Sequence, residues 1–253
     1  MSIDLALIGG TGLYRFPGLS GVERRAVDTP YGSTSDSLVV GSLGECRVAF
    51  LARHGESHTI PPHRVNYRAN LWALHHVGAR RVIGINAVGG IRADMGPRVL
   101  VLPDQIIDYT HERLTSYCDV AGAEVRHIDF SEPYTAKLRR DLLDAAQRAG
   151  VALVDGGCYG ATQGPRLETR AEIARMRRDG CDLVGMTGMP EAALAREAGL
   201  EYACIALVAN WAAGANEQGV GQTLPPIELP EIFENLKTAT AAVPPIISKL
   251  LQA

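Results

Sequence analysis

The feature that most constrains this chain is a series of apolar runs, each about as long as a β-strand, that alternate with segments of helical periodicity. The runs are Asp4–Ile8, Arg47–Ala52, Arg81–Asn86, Leu100–Ile107, Ala152–Tyr159, Leu183–Met186 and Tyr202–Ala209. Several consist almost entirely of Val, Ile, Leu and Ala, which is typical of strands buried on both faces of a sheet. The alternation predicts an α/β fold in which one mixed sheet carries helices on both faces.

Segments with apolar residues at helical spacing lie between the runs. They are Asn66–Val77, Ser131–Ala149, Thr169–Arg178 and Glu191–Ala198. Ser131 is the expected N-cap of its helix, and Gly78 is a C-cap candidate. A further amphipathic segment begins at Pro230, and Pro244-Pro245 should break or kink it before a last short helix.

The chain has a length and composition suited to one large domain. It contains 253 residues, of which 46% are hydrophobic, and it has no internal repeat, low-complexity tract or linker. We therefore expect a single domain over residues 1–253. Within it, residues 213–229 are rich in Gly and Pro and are predicted to form a mobile loop, and residues 230–253 to form a C-terminal helical segment.

Charge and cysteine content narrow the class of partner and the compartment. The net charge is -3 and the basic residues are scattered, which argues against nucleic acid or a membrane surface as the main partner. The five cysteines form no CxxC pair, so a reducing compartment is expected. With no signal-peptide pattern and no apolar run near the roughly 18 residues needed to span a bilayer, we expect a cytoplasmic protein.

Small or glycine-rich sequences end four of the predicted strands, where main-chain amides would be open to an anion. They are IGGTG at 8–12, LARHG at 51–55, NAVGG at 86–90 and GMTGMPE at 185–191. Each has an ordinary alternative: a tight turn, an exposed Arg-His pair, a βα turn, or Met186 as core filler. Because α/β sheets bind ligands at the carboxyl ends of their strands, the coincidence favours a phosphate site. The first lacks the GxGxxG fingerprint, which disfavours a dinucleotide.

With these motifs the chain resembles methylthioadenosine/purine nucleoside phosphorylases of the trimeric type. The matching stretches run in family order from about residue 6 to about residue 215: IGGTGLY, LARHGESHTIPPHRVNYRANLWAL, INAVGGI, DQIIDYT, HIDFSEPY, GPRLETRAEI, VGMTGMPEAALAREAGL and IALVANWAAG. The resemblance implies a twisted, partly barrel-like mixed sheet flanked by helices. It also implies a homotrimer with shared active sites, and leaves open whether trimers pair into hexamers.

The resemblance also implies the site residues. The phosphate positions are Thr11, Arg53, His54, Ala87 and Thr187, together with Asn86, where the family often has a small hydroxyl residue. The ribose packs on Met186, and the base pocket contains Leu167, Glu168, Asn210 and Ala212. The 5′ substituent is expected near His127, Leu229 and Ile232. The residues expected to act catalytically are Asn210, His54 and Thr187.

Two side chains favour a 6-oxopurine over adenine. An ionised Glu168 can accept the N1 proton of a 6-oxopurine, whereas it would face a lone pair on adenine N1 at a cost of about 1–3 kcal/mol. The Asn210 amide can donate to O6 or N7. Similar methylthioadenosine phosphorylases have aspartates at the positions of Asn210 and Ala212. The alternatives are a solvated Glu168 at a helix start and an Asn210 in an ordinary turn.

The late part of the chain favours an apolar 5′ group. Enzymes of the ordinary nucleoside branch place a late histidine on the 5′-hydroxyl, but no histidine follows His127 here. The late segment instead offers Leu224, Ile227, Leu229 and Ile232. One apolar group is worth only about 1–3 kcal/mol of discrimination, so this preference is softer than that for the base.

The predicted activity is therefore that of a pentosyltransferase of purine salvage, which splits S-methyl-5′-thioinosine with inorganic phosphate as co-substrate. No metal or organic cofactor is expected, because the histidines around His54 and His58 have no following Glu motif. A methylthioadenosine phosphorylase and a general inosine/guanosine phosphorylase are alternatives within the same class. A nonenzymatic nucleoside- or phosphate-binding domain is an alternative from another class.

Overall fold

Strand β5 (Arg81–Gly90) is the branch point of the sheet. Its first half, which is buried, pairs in parallel with β1 (Leu5–Gly9) on one side and with β11 (Glu201–Trp211) on the other. Its last residues pair antiparallel with β10 (Leu183–Gly185). A computed structural model describes residues 2–119, 122–215 and 229–252. The predicted α/β fold with a mixed sheet flanked by helices is confirmed.

The other elements extend the sheet on both sides of this centre. The remaining strands are β2 (Ser20–Arg25), β3 (Leu38–Leu43), β4 (Cys46–Ala52), β6 (Leu100–Leu102), β7 (Gln105–Asp108), β8 (Val154–Asp155) and β9 (Cys158–Ala161). One path runs β2-β3-β4-β1-β5-β10-β9-β7, and a second arm runs from β5 through β11 and β6 to β8. The helices are α1 (Tyr67–His76), α2 (Ala136–Ala149), α3 (Arg170–Arg178), α4 (Glu191–Glu197), α5 (Leu229–Ala241) and α6 (Val243–Leu250).

Helices cover both faces of the sheet because its central strands are apolar on both sides. In β1, Ala6 and Ile8 join a core cluster that includes Leu74 of α1. The alternate residue Leu7 joins a second cluster with Leu142 of α2 and buried residues of α5 and α6. This burial agrees with the near-continuous apolar runs of the sequence. No helix of the described ranges is both long and apolar enough to cross a membrane.

Two predicted strands are each divided in the structure. The run 100–107 is split by Pro103 into β6 and β7, which pair with different neighbours, because proline has no N–H for a continuous ladder. The run 152–159 is split by Gly156 and Gly157, whose φ angles are +83° and +126°. β-Strands with L side chains rarely adopt such angles, so the chain turns between β8 and β9.

Helix ends and two edge strands also differ from expectation. Ser131 is not an N-cap, because α2 begins at Ala136 after Thr135. The segment is broken before a last short helix, as expected, but the break is at Ala242, and Pro244 and Pro245 lie in the first turn of α6, where proline fits. Strands β2 and β3 were not predicted. Of the predicted loop 213–229, residues 216–228 lie outside the described residues, and Leu229 starts α5.

Candidate active site

A cavity of about 300 Å³ opens where β1, β4, β5, β10 and β11 end, beside the first turns of α5. The predicted residues that line it are Thr11, Arg53, His54, Ala87, Leu167, Glu168, Met186, Thr187, Asn210, Ala212, Leu229 and Ile232. Because β1, β4 and β5 are parallel neighbours, their carboxyl ends meet at this edge. The strand ends singled out in the sequence are therefore brought together in one cavity.

The turn after β1 requires glycine where it approaches β5. A Cβ on Gly10 would lie 2.7 Å from the Ile85 carbonyl oxygen and 2.9 Å from Arg53 Nη1. Gly12 has a φ of +86°, which favours glycine. The Leu13 amide closes the turn by donating to the Gly10 carbonyl at 3.0 Å. The chain can thus bring Thr11 and the amides of this turn to the cavity wall without side-chain obstruction.

Arg53 is fully buried and uses most of its guanidinium inside the protein. Nε and Nη2 donate to the two Glu191 carboxylate oxygens, each at 2.7 Å. Nη2 also donates to Asn86 Oδ1 at 2.8 Å, and Nη1 donates to the Ile85 carbonyl at 3.0 Å. Four of the five guanidinium N–H groups are thereby bound. The side of the guanidinium that can bind an anion at two points, and was expected to bind phosphate, binds the Glu191 carboxylate instead. One Nη1 N–H remains for a ligand.

Glu191 is the main functional partner that the sequence prediction missed. It is fully buried at the start of α4 and also accepts a 2.7 Å hydrogen bond from the Tyr202 hydroxyl. Burial acts to lower the pKa of Arg53, but the charge and hydrogen bonds of Glu191 outweigh it, so the pKa is raised. Arg53 therefore stays cationic at the cavity wall. The signal available in the sequence was that a buried arginine needs a carboxylate partner. Nothing local in the sequence identifies which carboxylate that partner is.

His54 lies beside Arg53 with one ring nitrogen occupied. Its Nδ1 is 2.8 Å from the Ile60 carbonyl oxygen, which can only accept, so Nδ1 carries a proton. Burial and then the Arg53 charge lower the pKa of His54 to about 4. The ring is therefore neutral near pH 7 and leaves Nε2 as an acceptor. His58, which also lines the cavity, stacks on His54 with ring centres 5.0 Å apart and bonds the Tyr14 hydroxyl at 2.6 Å.

Asn86 takes a different place from that expected of a phosphate ligand. It is fully buried, its Oδ1 accepts from Arg53, and it is not among the residues that line the cavity. It thus contacts Arg53 on the side away from the cavity and is not itself placed to bind a ligand there. The next residue, Ala87, does line the cavity, as does Thr187 after β10.

The opposite end of the cavity holds the two predicted base-recognition side chains. The Thr162 hydroxyl donates to Glu168 Oε1 at 2.6 Å, which leaves Oε2 with its accepting capacity. Asn210 Nδ2 donates one proton to the Trp211 carbonyl at 2.6 Å and keeps a second. Ala212 beside them is buried. Thr162 was not predicted, because its role depends on the fold that brings it to Glu168.

A β-bulge sets the direction of Asn210. Val208 pairs with Val88 while Asn210 pairs with Gly89, so Ala209 is an extra residue in β11. The carbonyl of Ala209 accepts from Asn235 Nδ2 of α5 at 2.9 Å, which satisfies a group that the ladder leaves free. Asn210 consequently follows Ala87 to the cavity side of the sheet.

The end of the cavity beside α5 is apolar and half open. Leu229, Ile232, Phe233 and Leu236 line it, and 63% of the Leu229 surface is exposed. Leu224 and Ile227, expected in the same wall, lie outside the described residues. His127 is exposed and does not line the cavity of its own chain. Among the described residues, the apolar side chains of α5 therefore form the wall expected to hold the 5′ substituent.

Comparison with known proteins gives a consistent set of similarities. Residues 4–243 match the model of the phosphorylase superfamily. A probable S-methyl-5′-thioinosine phosphorylase of Xanthomonas campestris is 58% identical over 249 residues, which cover 98% of this chain and 97% of the relative. A 6-oxopurine nucleoside phosphorylase of Pyrococcus furiosus is 43% identical over 252 residues, covering 95% and 92%.

Solved structures agree at the level of the whole chain. A methylthioadenosine phosphorylase from an antarctic soil metagenomic library has a TM-score of 0.88 and 34% sequence identity. The match covers 99% of this chain and 86% of the other. The similarity thus extends over the sheet, both helical layers and the strand ends that form the cavity.

Proposed function

Since the chain belongs to the phosphorylase superfamily, we propose that it is a purine nucleoside phosphorylase that splits S-methyl-5′-thioinosine reversibly into hypoxanthine and S-methyl-5-thioribose 1-phosphate. The choice of base rests on one observation: Glu168, Asn210 and Ala212 line the same cavity. An acceptor and a donor there match the N1–H and the O6 or N7 of a 6-oxopurine.

Phosphate binds at the end of the cavity formed by Thr11, Arg53, His54 and Thr187. Arg53 supplies one N–H and a charge already balanced by Glu191, so the glycine-rich amides carry much of the anion binding. Neutral His54 presents Nε2 as an acceptor, which suits the hydroxyl of a protonated phosphate species. The ligand form that this arrangement favours is therefore hydrogen phosphate.

A phosphate oxygen then attacks C1′ as the glycosidic bond breaks through an oxocarbenium-like state. The electron pair of that bond leaves with the base, and Asn210 stabilises the negative charge that develops at N7 and O6. The proton lost from hydrogen phosphate balances the reaction by ending on the purine ring of free hypoxanthine. The Glu168 carboxylate accepts a hydrogen bond from N1–H throughout the reaction. Met186 packs against the ribose. The reaction as proposed needs phosphate as co-substrate and no metal or organic cofactor.

The chain is further proposed to act as a homotrimer in the cytoplasm. The exposed position of His127, which does not line the cavity of its own chain, supports the first point, because a second copy could bring this side chain to the 5′ substituent. The unpaired state of all five cysteines suits a reducing compartment. A methylthioinosine substrate would also require a deaminating reaction to supply it. Sedimentation analysis, with activity restored by mixing a His127→Ala chain with an Asn210→Ala chain, tests the shared site.

The experiment that tests the activity compares kcat/KM for methylthioinosine, methylthioadenosine and inosine, each with and without phosphate. We expect phosphate-dependent turnover, with methylthioinosine preferred. If methylthioadenosine is the best substrate by a wide margin, the interpretation of Glu168 and Asn210 is wrong. If inosine equals methylthioinosine, the chain is a general 6-oxopurine phosphorylase. Binding without turnover would return it to a nonenzymatic domain.

A double substitution, Asn210→Asp with Ala212→Asp, should move the preference toward adenine. The carboxylate at position 210 would face O6 of a 6-oxopurine but accept from N6 of adenine. Because Ala212 is buried, the single change Asn210→Asp is the cleaner control for stability. An unchanged ratio of methylthioinosine to methylthioadenosine turnover in folded variants would overturn the base-pocket argument.

A further inference from the structure

Arg113 uses every N–H of its guanidinium to join two segments of the candidate site. Nη1 donates to the carbonyls of Met186 and Met189 at 2.8 and 2.5 Å. Nη2 donates to the carbonyls of Thr162 and Gln163 at 3.1 and 2.8 Å, and Nε donates to Gln163 Oε1 at 3.0 Å. All five donors of the side chain are therefore satisfied by groups that carry no charge.

The two segments leave neighbouring strands and carry different parts of the site. The parallel ladder between β9 and β10 ends at Ala161 and Gly185. Beyond it, one chain continues through Thr162 toward Glu168, and the other through Met186 and Thr187. The Thr162 amide donates to the Gly185 carbonyl at 2.8 Å where the ladder ends, and beyond that point Arg113 bonds the main chain of both segments.

A third segment of the cavity wall also meets this arginine. The Arg113 guanidinium carbon lies 5.7 Å from the centre of the Tyr67 ring, within the range of a cation–π contact. The Tyr67 hydroxyl donates to the Pro62 carbonyl at 3.0 Å, and Pro62 lines the cavity. The half-buried Arg113 side chain thus contacts residues of three segments that form the cavity wall or hold it in place.

We propose that Arg113 is a positioning residue that sets the separation between the base-recognition carboxylate of Glu168 and the ribose- and phosphate-binding residues Met186 and Thr187. The proposal rests on the proposed function, since it assigns roles within that site. Arg113 itself lines no part of the cavity and touches no substrate in this arrangement. It acts by holding the base and the ribose at the spacing of the intact nucleoside, where displacement by about 1 Å can cost 100-fold in rate.

The test uses Arg113→Met, which keeps the length and removes the donors, and Arg113→Lys, which keeps the charge but loses the planar fork. We expect Arg113→Met to raise the nucleoside KM and to lower kcat/KM for methylthioinosine about 100-fold. The KM for phosphate should change much less, because Thr11, Arg53 and His54 follow other strands, β1 and β4, and Thr187 alone of these phosphate residues lies on a segment that Arg113 holds. Arg113→Lys should recover only a small part of the loss.

Arg139 provides the matched control. Its Nε and Nη2 donate to the carbonyls of Pro103 and Leu102, each at 3.1 Å, Nη2 also pairs with the exposed Asp155 carboxylate, and Arg139 lines no part of the cavity. Arg139→Met should lower the thermal midpoint while both KM values stay at those of the wild type. If both variants change only the midpoint and the active fraction, Arg113 is a structural residue and the proposal fails.

A rescue experiment separates positioning from folding. Methylguanidinium added to folded Arg113→Ala should restore the nucleoside KM, since the free ion can bind the same carbonyls, and it should not improve Arg139→Ala. A wild-type chain that turns over no 6-oxopurine nucleoside would overturn the proposed function. An active wild type with an unaltered nucleoside KM in Arg113→Met would overturn only the role of Arg113.

Discussion

Arg53 and Glu191 form a two-point ion pair in which both side chains are fully buried, although they stand 138 positions apart in the sequence. Two charges removed from water in this way are tolerated only while each has the other, because a single buried charge is left without compensation. The pair also joins the phosphate end of the cavity to the start of α4 and, through Asn86, to β5. The arginine is consequently held still before any phosphate arrives.

Glu191→Gln should therefore destabilise the fold as well as weaken phosphate binding. Removing the carboxylate charge leaves a buried guanidinium without compensation, at a cost of about 3–5 kcal/mol in the free energy of unfolding. Urea denaturation measures it. Asp141→Asn is the control, since it breaks the exposed Lys137–Asp141 pair and should cost no more than about 1 kcal/mol. Equal losses in the two variants would contradict the special role of the buried pair.

His54 should make the stability depend on pH in the acid range. Its pKa is about 4 in the folded chain and near 6.5 when unfolded, because burial disfavours the charged ring. Between these values the unfolded state binds the extra proton, so stability is lost as the pH falls from 6.5 toward 4. His54→Asn, whose amide can still donate to Ile60, should flatten that slope by up to about 1.4 kcal/mol per pH unit. Denaturation curves from pH 4 to 7 that keep the wild-type slope would refute this assignment.

Gly10→Ala should damage the phosphate end selectively. The added methyl would press on the Ile85 carbonyl and on Arg53 Nη1, the nitrogen with an N–H left for a ligand. We expect kcat/KM for phosphate to fall about 100-fold from the displacement. Gly21→Ala is the comparison, because its φ is +58° but no atom lies within 4 Å. That change should cost about 1–2 kcal/mol of backbone strain and leave the phosphate KM unaltered.

Thr162→Val should weaken the recognition of 6-oxopurines. The substitution keeps the shape but removes the hydroxyl that orients Glu168. A lost hydrogen bond of this kind costs about 1–3 kcal/mol, or roughly 5- to 150-fold in kcat/KM for methylthioinosine. Methylthioadenosine, which has no N1 proton to give, should lose less. Thr34→Val removes a comparable hydroxyl hydrogen bond, to the Asp36 carbonyl, and should leave both substrates unaffected.

Much of the architecture was predictable because it follows from local patterns of apolar residues and glycines. Runs such as β1 and β5 are buried on both faces, and their glycine-rich ends identify the edge where the cavity opens. Strand β2 was missed because its sequence SGVERR is almost wholly exposed and has no apolar run. It exists through its ladder with β3, a pairing that periodicity does not reveal.

The site was predictable in its members more than in their bonds. The strand-end motifs identified Arg53 and His54. They did not indicate that the Arg53 guanidinium would bind the Glu191 carboxylate, or that the Ile60 carbonyl would fix the tautomer of His54. These partners come from elements that are distant in sequence. The same limit applies to Arg113. It lies in an irregular segment, and its role depends on the distant carbonyl groups to which it donates.

The bulge at Ala209 also fixes how α5 is attached to the sheet. Residues alternate between the two faces of β11, and the extra residue reverses that order just before Asn210. Without Ala209 the alternation would be regular, Asn210 would still pair with Gly89, and its amide would stay on the cavity side. A one-residue deletion here should instead remove the Ala209 carbonyl that accepts from Asn235, and with it a hydrogen bond that fastens α5, whose apolar residues line the cavity, to β11. Such a deletion is therefore expected to loosen the apolar wall of the cavity more than it alters the choice of base.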